Sequence, residues 1–210
     1  MAVADMVAQG ATPGAASGNP MPFASPIHLD SRRLTVRALE EGDLADLMAI
    51  NGDDAVTRYL PYASWNSSAD GQAWFERMRN IEASGTAVQL VVVEKLSARV
   101  VGTCLLFHLE AASARAEIGY VLGRAQWGQG LMLEALQALV THAFGPLGLR
   151  RLEAEVNPDN LASCRLLERL GFTAEGLLRQ RWVAKGQACD IRFFGLLRDD
   201  PAAASLSGIA

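Results

Sequence analysis

The pattern of apolar and polar residues predicts a strand and then helices at the start of the folded region. Apolar and polar residues alternate over residues 33–39, as they do in a half-buried strand. Asp43 then stands where an N-cap is favoured, before an apolar pattern of helical period over residues 44–50. A short helix over residues 54–60 and a longer one that begins near residue 67 follow.

The middle of the chain predicts strands that pair in sequence order. Residues 87–93 and 99–107 are rich in Val, Leu and Thr, and a short polar link over residues 95–98 separates them. Such a pair with a short link is typical of an antiparallel hairpin. Residues 116–122 add a third strand to this meander.

The second half of the chain alternates helices with strands. The predicted helices cover residues 131–144 and 161–170, and the predicted strands cover residues 152–156, 173–183 and 191–197. The fold class is therefore α/β (α+β), with a mixed and mostly antiparallel sheet of about seven strands and about four helices. A helical crossover in the second half brings a late strand into the sheet.

Composition predicts one folded domain with less ordered ends. A chain of 210 residues, half of them apolar, can bury a single sizeable core, which we expect over residues 27–200. Residues 1–26 have no basic region and no continuous apolar run, so we predict a mobile N-terminal extension rather than a signal peptide. Residues 201–210 are rich in Ala and Ser, and we predict a frayed C-terminal tail. No window reaches the roughly 20 apolar residues of a membrane span, so no membrane partner is expected.

Charge and cysteine usage limit the classes of partner. A net charge of -4 argues against nucleic-acid binding, which usually requires a basic surface. Cys104, Cys164 and Cys189 lie outside any zinc-type spacing, so we predict reduced thiols, no metal site and a cytoplasmic protein. His108 follows a predicted strand and His142 lies in an apolar helix, and we assign both to structural roles.

A turn with two glycines predicts an anion site. The strand that ends at Leu122 is followed by Gly128 and Gly130, and a helix begins near Leu131. The first N–H groups of a helix have no partner within it and suit a phosphate group. A P-loop would need GxxxxGK[ST], which is absent, and a dinucleotide fingerprint would need glycine in place of Leu133. A tight turn without a ligand is the simpler alternative.

The string W-G-x-G-x-x-x-E-A over residues 127–135 resembles the RimJ/RimL-type ribosomal-protein acetyltransferases of the GNAT superfamily, the GCN5-related N-acetyltransferases. The superfamily core string is (Arg/Gln)-x-x-Gly-x-(Gly/Ala), and Trp127 and Met132 depart from its first and last positions. Further segments resemble the same branch in the same order, so that the resemblance extends over roughly residues 31–198. They are residues 33–47, 56–61, 116–122, 157–172 and 175–179.

The resemblance implies a GNAT fold and acetyl-CoA as the acetyl donor. Backbone N–H groups of the glycine turn would bind the diphosphate, while strand backbone near residue 121 would polarise the thioester carbonyl. Trp127 has a packing role under the loop as its alternative. The cofactor-binding candidates are Val121, Leu122, Trp127, Gly128, Gln129, Gly130, Leu131, Met132 and Asn160.

The resemblance also supplies two catalytic candidates. Ser163 matches the serine that RimL-type enzymes place beside the sulfur, where its hydroxyl can protonate the thiolate; its alternative is a helix cap. Glu117 matches the acidic residue of histone-type members and can act as the base; its alternative is a cross-strand partner. Glu175 or water are other candidates for the base. Two positions depart from the family: Phe194 stands where many relatives have Tyr, and Trp182 stands where RimL has a catalytic Glu.

The acceptor is predicted to be a primary amine that attacks the bound donor directly in a ternary complex. The leading candidate is the N-terminal α-amine of a protein, such as a ribosomal protein. A small-molecule amine (a polyamine, amino acid, antibiotic or toxin) and a non-catalytic acyl-CoA-binding module are alternatives, and the chain can be a monomer or a homodimer. Six acidic residues could attract a cationic acceptor or form a solvated helix start; they are Glu40, Glu41, Asp43, Asp46, Asp53 and Asp54.

Overall fold

Eight strands form one sheet in the computed structural model, which describes residues 26–207. The strands are β1 (His28–Asp30), β2 (Leu34–Ala38), β3 (Val88–Glu94), β4 (Arg99–Glu110), β5 (Arg115–Leu122), β6 (Arg151–Val156), β7 (Thr173–Ala184) and β8 (Gln187–Leu197). Their spatial order is β1-β2-β3-β4-β5-β6-β8-β7. Every neighbouring pair is antiparallel except β5 and β6, which run parallel, so the predicted mixed sheet is confirmed.

Six α-helices accompany this sheet within the described residues. They are α1 (Leu44–Asn51), α2 (Asp54–Thr57), α3 (Ser68–Ala83), α4 (Leu131–Phe144), α5 (Leu161–Leu170) and α6 (Pro201–Ser207). None of the helices between residues 26 and 207 is long and apolar enough to cross a membrane.

The ends of the chain differ from the prediction in two places. The first strand, β1, was not predicted because three residues are too few to show an alternating pattern; it pairs with β2 at the edge of the sheet. Residues 201–207, which we expected to fray, form α6 instead. Ala203 is buried there, and a Cβ on Gly171 would collide with Ala202, so small residues allow close packing. Residues 1–25 of the predicted N-terminal extension and residues 208–210 lie outside the described part of the chain.

Two apolar cores lie on opposite faces of the sheet. Leu90 of β3 belongs to the larger core, which includes Leu136 of α4. Its neighbour Val91 belongs to a second core with Leu47 of α1 and Trp74 of α3. Successive side chains of a strand point to opposite faces, so β3 supports both helix layers. Truncation of a fully buried leucine such as Leu136 to alanine would cost about 2–5 kcal/mol.

A gap opens in the sheet where β5 and β6 part. Their parallel pairing covers only Arg115 with Arg151, Ala116 with Leu152, and Glu117 with Glu153. From that point β5 continues to Leu122 and β6 to Val156 without further pairing between them. The divergence creates a cleft within the sheet and leaves the β5 backbone beyond Glu117 facing it.

Two bulges distort the strands around this gap. The register of β4 with β5 shifts between Phe107 and Glu110, where His108 has a left-handed φ of 50°. The register of β7 with β8 shifts between Leu178 and Trp182, where Gln180 has a φ of 51°. A bulge inserts an extra residue and redirects the side chains around it.

Candidate active site

A single cleft of about 820 Å³ occupies the gap between β5 and β6. One end, which we call the glycine-loop end, is formed by Gly128, Gly130 and the start of α4. The other, the carboxylate end, is formed by Glu117, Glu155 and the aromatic ring of Trp182. All but one of the predicted site residues line the cleft: Glu117, Val121, Leu122, Trp127, Gly128, Gly130, Leu131, Met132, Asn160 and Ser163.

The glycine-loop end has the geometry of an anion site. Gly128 and Gly130 have left-handed φ values of 74° and 73°, and Gly130 is the N-cap residue of α4. A Cβ on Gly128 would meet no atom within 4 Å, so the constraint there is backbone conformation rather than space. No side chain caps α4. The first N–H groups of the helix therefore remain available to a bound phosphate.

Trp127 and Gln129 have structural contacts beside this turn. The indole Nε1 of Trp127 donates to the carbonyl of Leu122 at 2.8 Å, while its side chain stays about half exposed. Trp127 therefore ties the end of β5 to the loop rather than packing under it. Gln129 is the one predicted residue that does not line the cleft, because its side-chain amide donates to the carbonyl of Ala125 at 2.8 Å.

Ser163 has a phenol as its partner. Its Oγ lies 2.6 Å from the hydroxyl of Tyr120, and its backbone N–H donates to Oδ1 of Asn160 at 3.2 Å. Asn160 is therefore the helix cap, and the alternative that Ser163 caps α5 is wrong. Burial raises the pKa of Tyr120 well above its usual value, so this phenol stays protonated. Tyr120 was missed, although its position two residues after the buried Ile118 already placed it on the same face of β5.

Glu117 is buried, with 6% of its surface exposed. Burial raises the pKa of this carboxyl above the usual value; the hydrogen bond to His108 opposes the shift, and the charge of Glu155 adds to it. The Nδ1 atom of His108 lies 3.0 Å from Oε2 of Glu117. His108, to which we assigned a structural role, thus contacts the candidate base, because the bulge in β4 brings its imidazole there.

A second carboxylate, Glu155 of β6, was not predicted. Its Oε2 accepts a hydrogen bond from Nε1 of Trp182 at 2.6 Å, and its Oε1 accepts from Arg181 at 3.2 Å. Both Glu155 and Trp182 line the cleft. The position where RimL has Glu thus holds a tryptophan that contacts a carboxylate from another strand. The pair lies 27 residues apart in sequence, so no local motif indicates it.

The turn between β7 and β8 reaches across to α2 near the carboxylate end. The Nζ atom of Lys185 donates to the carbonyl of Thr57 at 2.9 Å, at the end of α2. Val56 and Tyr59 on that side and Trp182 on the other line the cleft. The contact therefore joins its two walls.

Other residues considered from sequence lie elsewhere. Glu175 forms two hydrogen bonds with Arg151, at 2.9 and 2.6 Å, and does not line the cleft. The Arg151 guanidinium lowers the pKa of this carboxyl, so Glu175 is not placed to act as the base. Phe194 is fully buried in the larger core.

The acidic segment also serves local structure. Asp43 forms an ion pair with Arg37 at 2.7 Å, and Asp53 caps α2 through the N–H of Ala55 at 2.8 Å. None of the six acidic residues lines the cleft. The carboxylate residues that line the cleft are instead Glu117, Glu155 and Asp159.

Sequence comparisons agree on one family. A family model described as an acetyltransferase (GNAT) domain matches residues 33–173. A Bacillus licheniformis protein named as an uncharacterized N-acetyltransferase, p20, is 36% identical over 174 residues, which are 83% of this chain and 98% of that one. The Escherichia coli ribosomal-protein-serine acetyltransferase is 32% identical over 100 residues, 48% of this chain and 56% of that one. The Vibrio cholerae spermidine N(1)-acetyltransferase is 24% identical over 169 residues, 79% of this chain and 94% of that one.

The fold is shared with solved structures. The crystal structure of a GCN5-related N-acetyltransferase from Brucella melitensis matches with a TM-score of 0.79 at 25% identity. The match covers 90% of this chain and 86% of that one. The predicted fold is therefore confirmed.

Proposed function

The chain belongs to the GNAT acetyltransferase family, and on that premise we propose that it transfers acetyl from acetyl-CoA to the N-terminal α-amine of a protein. As an acetyl-CoA-dependent N-acetyltransferase, it needs a site for the donor, a base for the amine and an acid for the departing thiolate. One observation supports the proposal best. A single cleft holds the left-handed glycine turn, the Tyr120–Ser163 pair and the buried Glu117.

Donor binding is assigned to the glycine-loop end. The diphosphate of acetyl-CoA would accept hydrogen bonds from the first N–H groups of α4, at Leu131 and Met132, where the helix dipole also favours negative charge. Asn160 would contact the pantetheine arm from the start of α5. The edge of β5 that no longer pairs with β6, near Val121 and Leu122, would donate to the thioester oxygen as negative charge develops on it.

Glu117 is assigned the role of base. It removes a proton from the acceptor ammonium, directly or through a water, and the neutral nitrogen then attacks the thioester carbon. A C–N bond forms, the nitrogen loses its second proton to bulk water, and the C–S bond breaks, which leaves the amide and the CoA thiolate. The raised pKa of Glu117 brings it closer to that of the amine and so favours proton transfer.

Ser163 and Tyr120 are assigned the role of acid. Ser163 gives its hydroxyl proton to the thiolate and is reprotonated by the phenol 2.6 Å away. Bulk solvent returns the proton to Tyr120. A phenol that is missing at Phe194 is thus supplied from β5. Direct transfer is favoured over an acetyl-cysteine intermediate, because Cys164 is buried and burial raises the pKa of its thiol.

The choice of an α-amine rests on acid strength and on one relative. An α-amine has a pKa of about 8 and a lysine or polyamine amine one of about 10, so a carboxylate base deprotonates the former more readily. The name of the Escherichia coli relative specifies a ribosomal protein as its substrate. The acceptor would enter at the carboxylate end, between Tyr59 and Trp182.

A small polyamine is the second candidate. The Vibrio cholerae relative is a spermidine acetyltransferase, and this cleft has two carboxylates at one end. While Glu117 serves one amine, Glu155 could bind a second ammonium group of the same molecule. An N-terminal amine with no second cation would not need that contact.

We further propose a cytoplasmic location. Cys104, Cys164 and Cys189 are unpaired, and Cys104 and Cys164 are buried. Burial raises the pKa of the Cys104 thiol to about 12. Unpaired thiols are typical of proteins in reducing compartments.

Release of free thiol from acetyl-CoA would test these assignments. The acceptors would be peptides with free N-termini, the same peptides with blocked N-termini and one internal lysine, and spermidine. Transfer to the free N-terminal peptides, located by tandem mass spectrometry, would support the proposal. Turnover with spermidine alone would favour the second candidate.

One control variant and one contradicting outcome complete the experiment. The Glu117→Gln variant should bind acetyl-CoA but release little thiol with any acceptor. Acetyl-CoA binding by the wild-type protein without turnover on any acceptor would contradict the proposal and favour an acyl-CoA-binding module.

A further inference from the structure

Arg33, in the turn between β1 and β2, is hydrogen-bonded to the glycine loop and to the first turn of α4. Its Nε donates to Oε2 of Glu134 at 2.7 Å, and its backbone N–H donates to Oε1 of the same carboxylate at 2.7 Å. The hydroxyl of Ser31 adds a third hydrogen bond to Oε1 at 2.8 Å. The Nη1 atom of Arg33 donates to the carbonyl of Gln129, inside the loop, at 3.0 Å.

These bonds change what Glu134 does at the start of α4. A carboxylate in the first turn of a helix normally interacts with the positive end of the helix dipole and would repel a bound anion. Here Ser31 and Arg33 take up both oxygens. Burial acts to raise the pKa of Glu134, but the hydrogen bonds from Arg33 outweigh it and the pKa is lowered. Glu134 is therefore an anionic anchor for Arg33.

The remaining side of the guanidinium faces the turn. A Cβ placed on Gly130 would lie 3.7 Å from Nη2 of Arg33, and Nη2 has no hydrogen-bond partner among residues 26–207. About a third of the Arg33 side chain is exposed. The planar fork of arginine suits phosphate oxygens, and here two of its three nitrogens are already held in place.

We propose that Arg33 is a binding residue for the diphosphate of acetyl-CoA, oriented for that role by Glu134 and Ser31. Nη1 fixes the loop through the Gln129 carbonyl, and Nη2 donates to a phosphate oxygen beside Gly130. This role concerns the donor that the family uses and does not depend on which amine is the acceptor.

The test compares Arg33→Gln with the matched variant Arg32→Gln, which removes the same charge from an exposed neighbouring position. Calorimetric titration with CoA needs no acceptor and no turnover. We expect Arg33→Gln to weaken CoA binding by roughly ten- to a hundredfold, the range for a hydrogen bond to a charged group. Arg32→Gln should bind CoA within about twofold of the wild type.

Two further measurements distinguish direct binding of the phosphate by Arg33 from a role in which Arg33 only stabilises the loop. Inorganic pyrophosphate should raise the melting temperature of the wild type and of Arg32→Gln, but not that of Arg33→Gln. The variant Glu134→Gln keeps the guanidinium and loses only its charged anchor, so its CoA affinity should fall less than that of Arg33→Gln. Arg33→Lys, which retains the charge without the fork, should lie between the wild type and Arg33→Gln.

Either of two results would overturn the assignment. One is CoA binding by Arg33→Gln that equals the wild type. The other is an equal loss in Arg33→Gln and Glu134→Gln, with pyrophosphate stabilising both, which would make Arg33 only a support for the loop. If Arg33→Gln does not fold, as judged by its thermal melt, the same comparisons are made with Arg33→Lys.

Discussion

The two ends of the cleft are built in different ways. At the glycine-loop end, the proposed donor site uses backbone N–H groups together with the Arg33 side chain, and the left-handed residues Gly128 and Gly130 have no Cβ to oppose that conformation. At the carboxylate end, the proposed roles belong to side chains alone. The left-handed residues near that end include His108 and Gln180, which have side chains and are strained by about 1–3 kcal/mol each.

The strained residues lie where they redirect the side chains of the carboxylate end. The bulge at His108 brings its imidazole to Glu117, and the bulge at Gln180 precedes Trp182, which contacts Glu155. A phosphate group is the same in every donor molecule, so unstrained backbone and one arginine side chain can bind it in the proposed site. Proton transfer needs particular titratable groups at particular distances, and that precision coincides with strain in the strands.

The largest expected effect breaks only the carboxylate end. Glu117→Gln keeps the size of the side chain but removes the base, so kcat should fall by roughly 10²- to 10⁴-fold. The calorimetric Kd for acetyl-CoA should not change. The control Glu175→Gln removes a carboxylate outside the cleft and should retain activity. Full activity of Glu117→Gln would exclude this residue as the base.

The converse variant breaks only the glycine-loop end. Gly128→Val places a Cβ at a left-handed residue, which costs about 1–2 kcal/mol and favours a changed loop. We expect the Kd for acetyl-CoA to rise by roughly five- to thirtyfold. Gly148→Val is the matched control, because Gly148 is also left-handed with no atom within 4 Å of a Cβ and does not line the cleft. If Gly128→Val and Gly148→Val bound CoA with equal affinity, the glycine loop would not be part of the donor site.

A smaller effect on kcat is expected from the Tyr120–Ser163 pair, which lies in the cleft between the two ends. Ser163→Ala should lower kcat by about tenfold, the lower limit for the loss of one hydrogen bond to a charged group. Tyr120→Phe should lower it by a similar factor, and the double variant should be no worse than either single variant. Rapid-quench measurement of the acetyl-transfer step tests this. Additive losses would show that the two hydroxyls do not act as one pair.

The smallest expected effect is on stability. Burial raises the folded-state pKa of Glu117, so its contribution to stability is present at low pH and is lost as pH rises through that pKa. Charges around it come from His108 on β4 and from Glu153 and Glu155 on β6. Glu117→Gln should therefore become more stable relative to the wild type as pH rises above the ordinary range of a glutamate pKa.

Glu175 should affect the pH dependence of stability in the opposite direction to Glu117. Arg151 lowers its folded-state pKa, so its stabilisation is present above the unfolded pKa and is lost as pH falls through the folded pKa. Urea unfolding should find Glu175→Gln less stable than the wild type at pH 8, with a smaller difference at acid pH. If Glu117→Gln and Glu175→Gln changed stability at pH 8 in the same direction, the environments assigned to these two carboxyl groups would be wrong.

Much of the fold follows from sequence because strand composition and hydrophobic period are local signals. Val91 and Leu90 differ in the face they bury, and the predicted strands over residues 87–93 and 99–107 appear as β3 and β4. The short edge strand β1 and helix α6 lack such a signal. The close packing of Ala202 against Gly171 that accompanies α6 is a contact between distant residues.

The same distinction applies to the site. Gly128 and Gly130 are neighbours in sequence, so their turn could be predicted from a short string. Glu155 and Trp182 meet only because β6 and β7 lie on the two sides of β8. The bulge that turns His108 toward Glu117 has no glycine or proline to mark it. Contacts of this kind depend on strand register, which the local pattern does not specify.

The bond between Arg33 and Glu134 joins residues that are 101 positions apart. Such a contact has a consequence during synthesis, because the ribosome releases the N-terminal strand long before α4 exists. The segment that contains Arg33 therefore has no partner until α4 has been synthesised. Closing the long loop between Arg33 and Glu134 is also slow compared with forming the helix itself. A fragment that begins after residue 33 would keep both glycines of the turn but would lack the hydrogen bonds from Arg33 to Glu134 and to the Gln129 carbonyl.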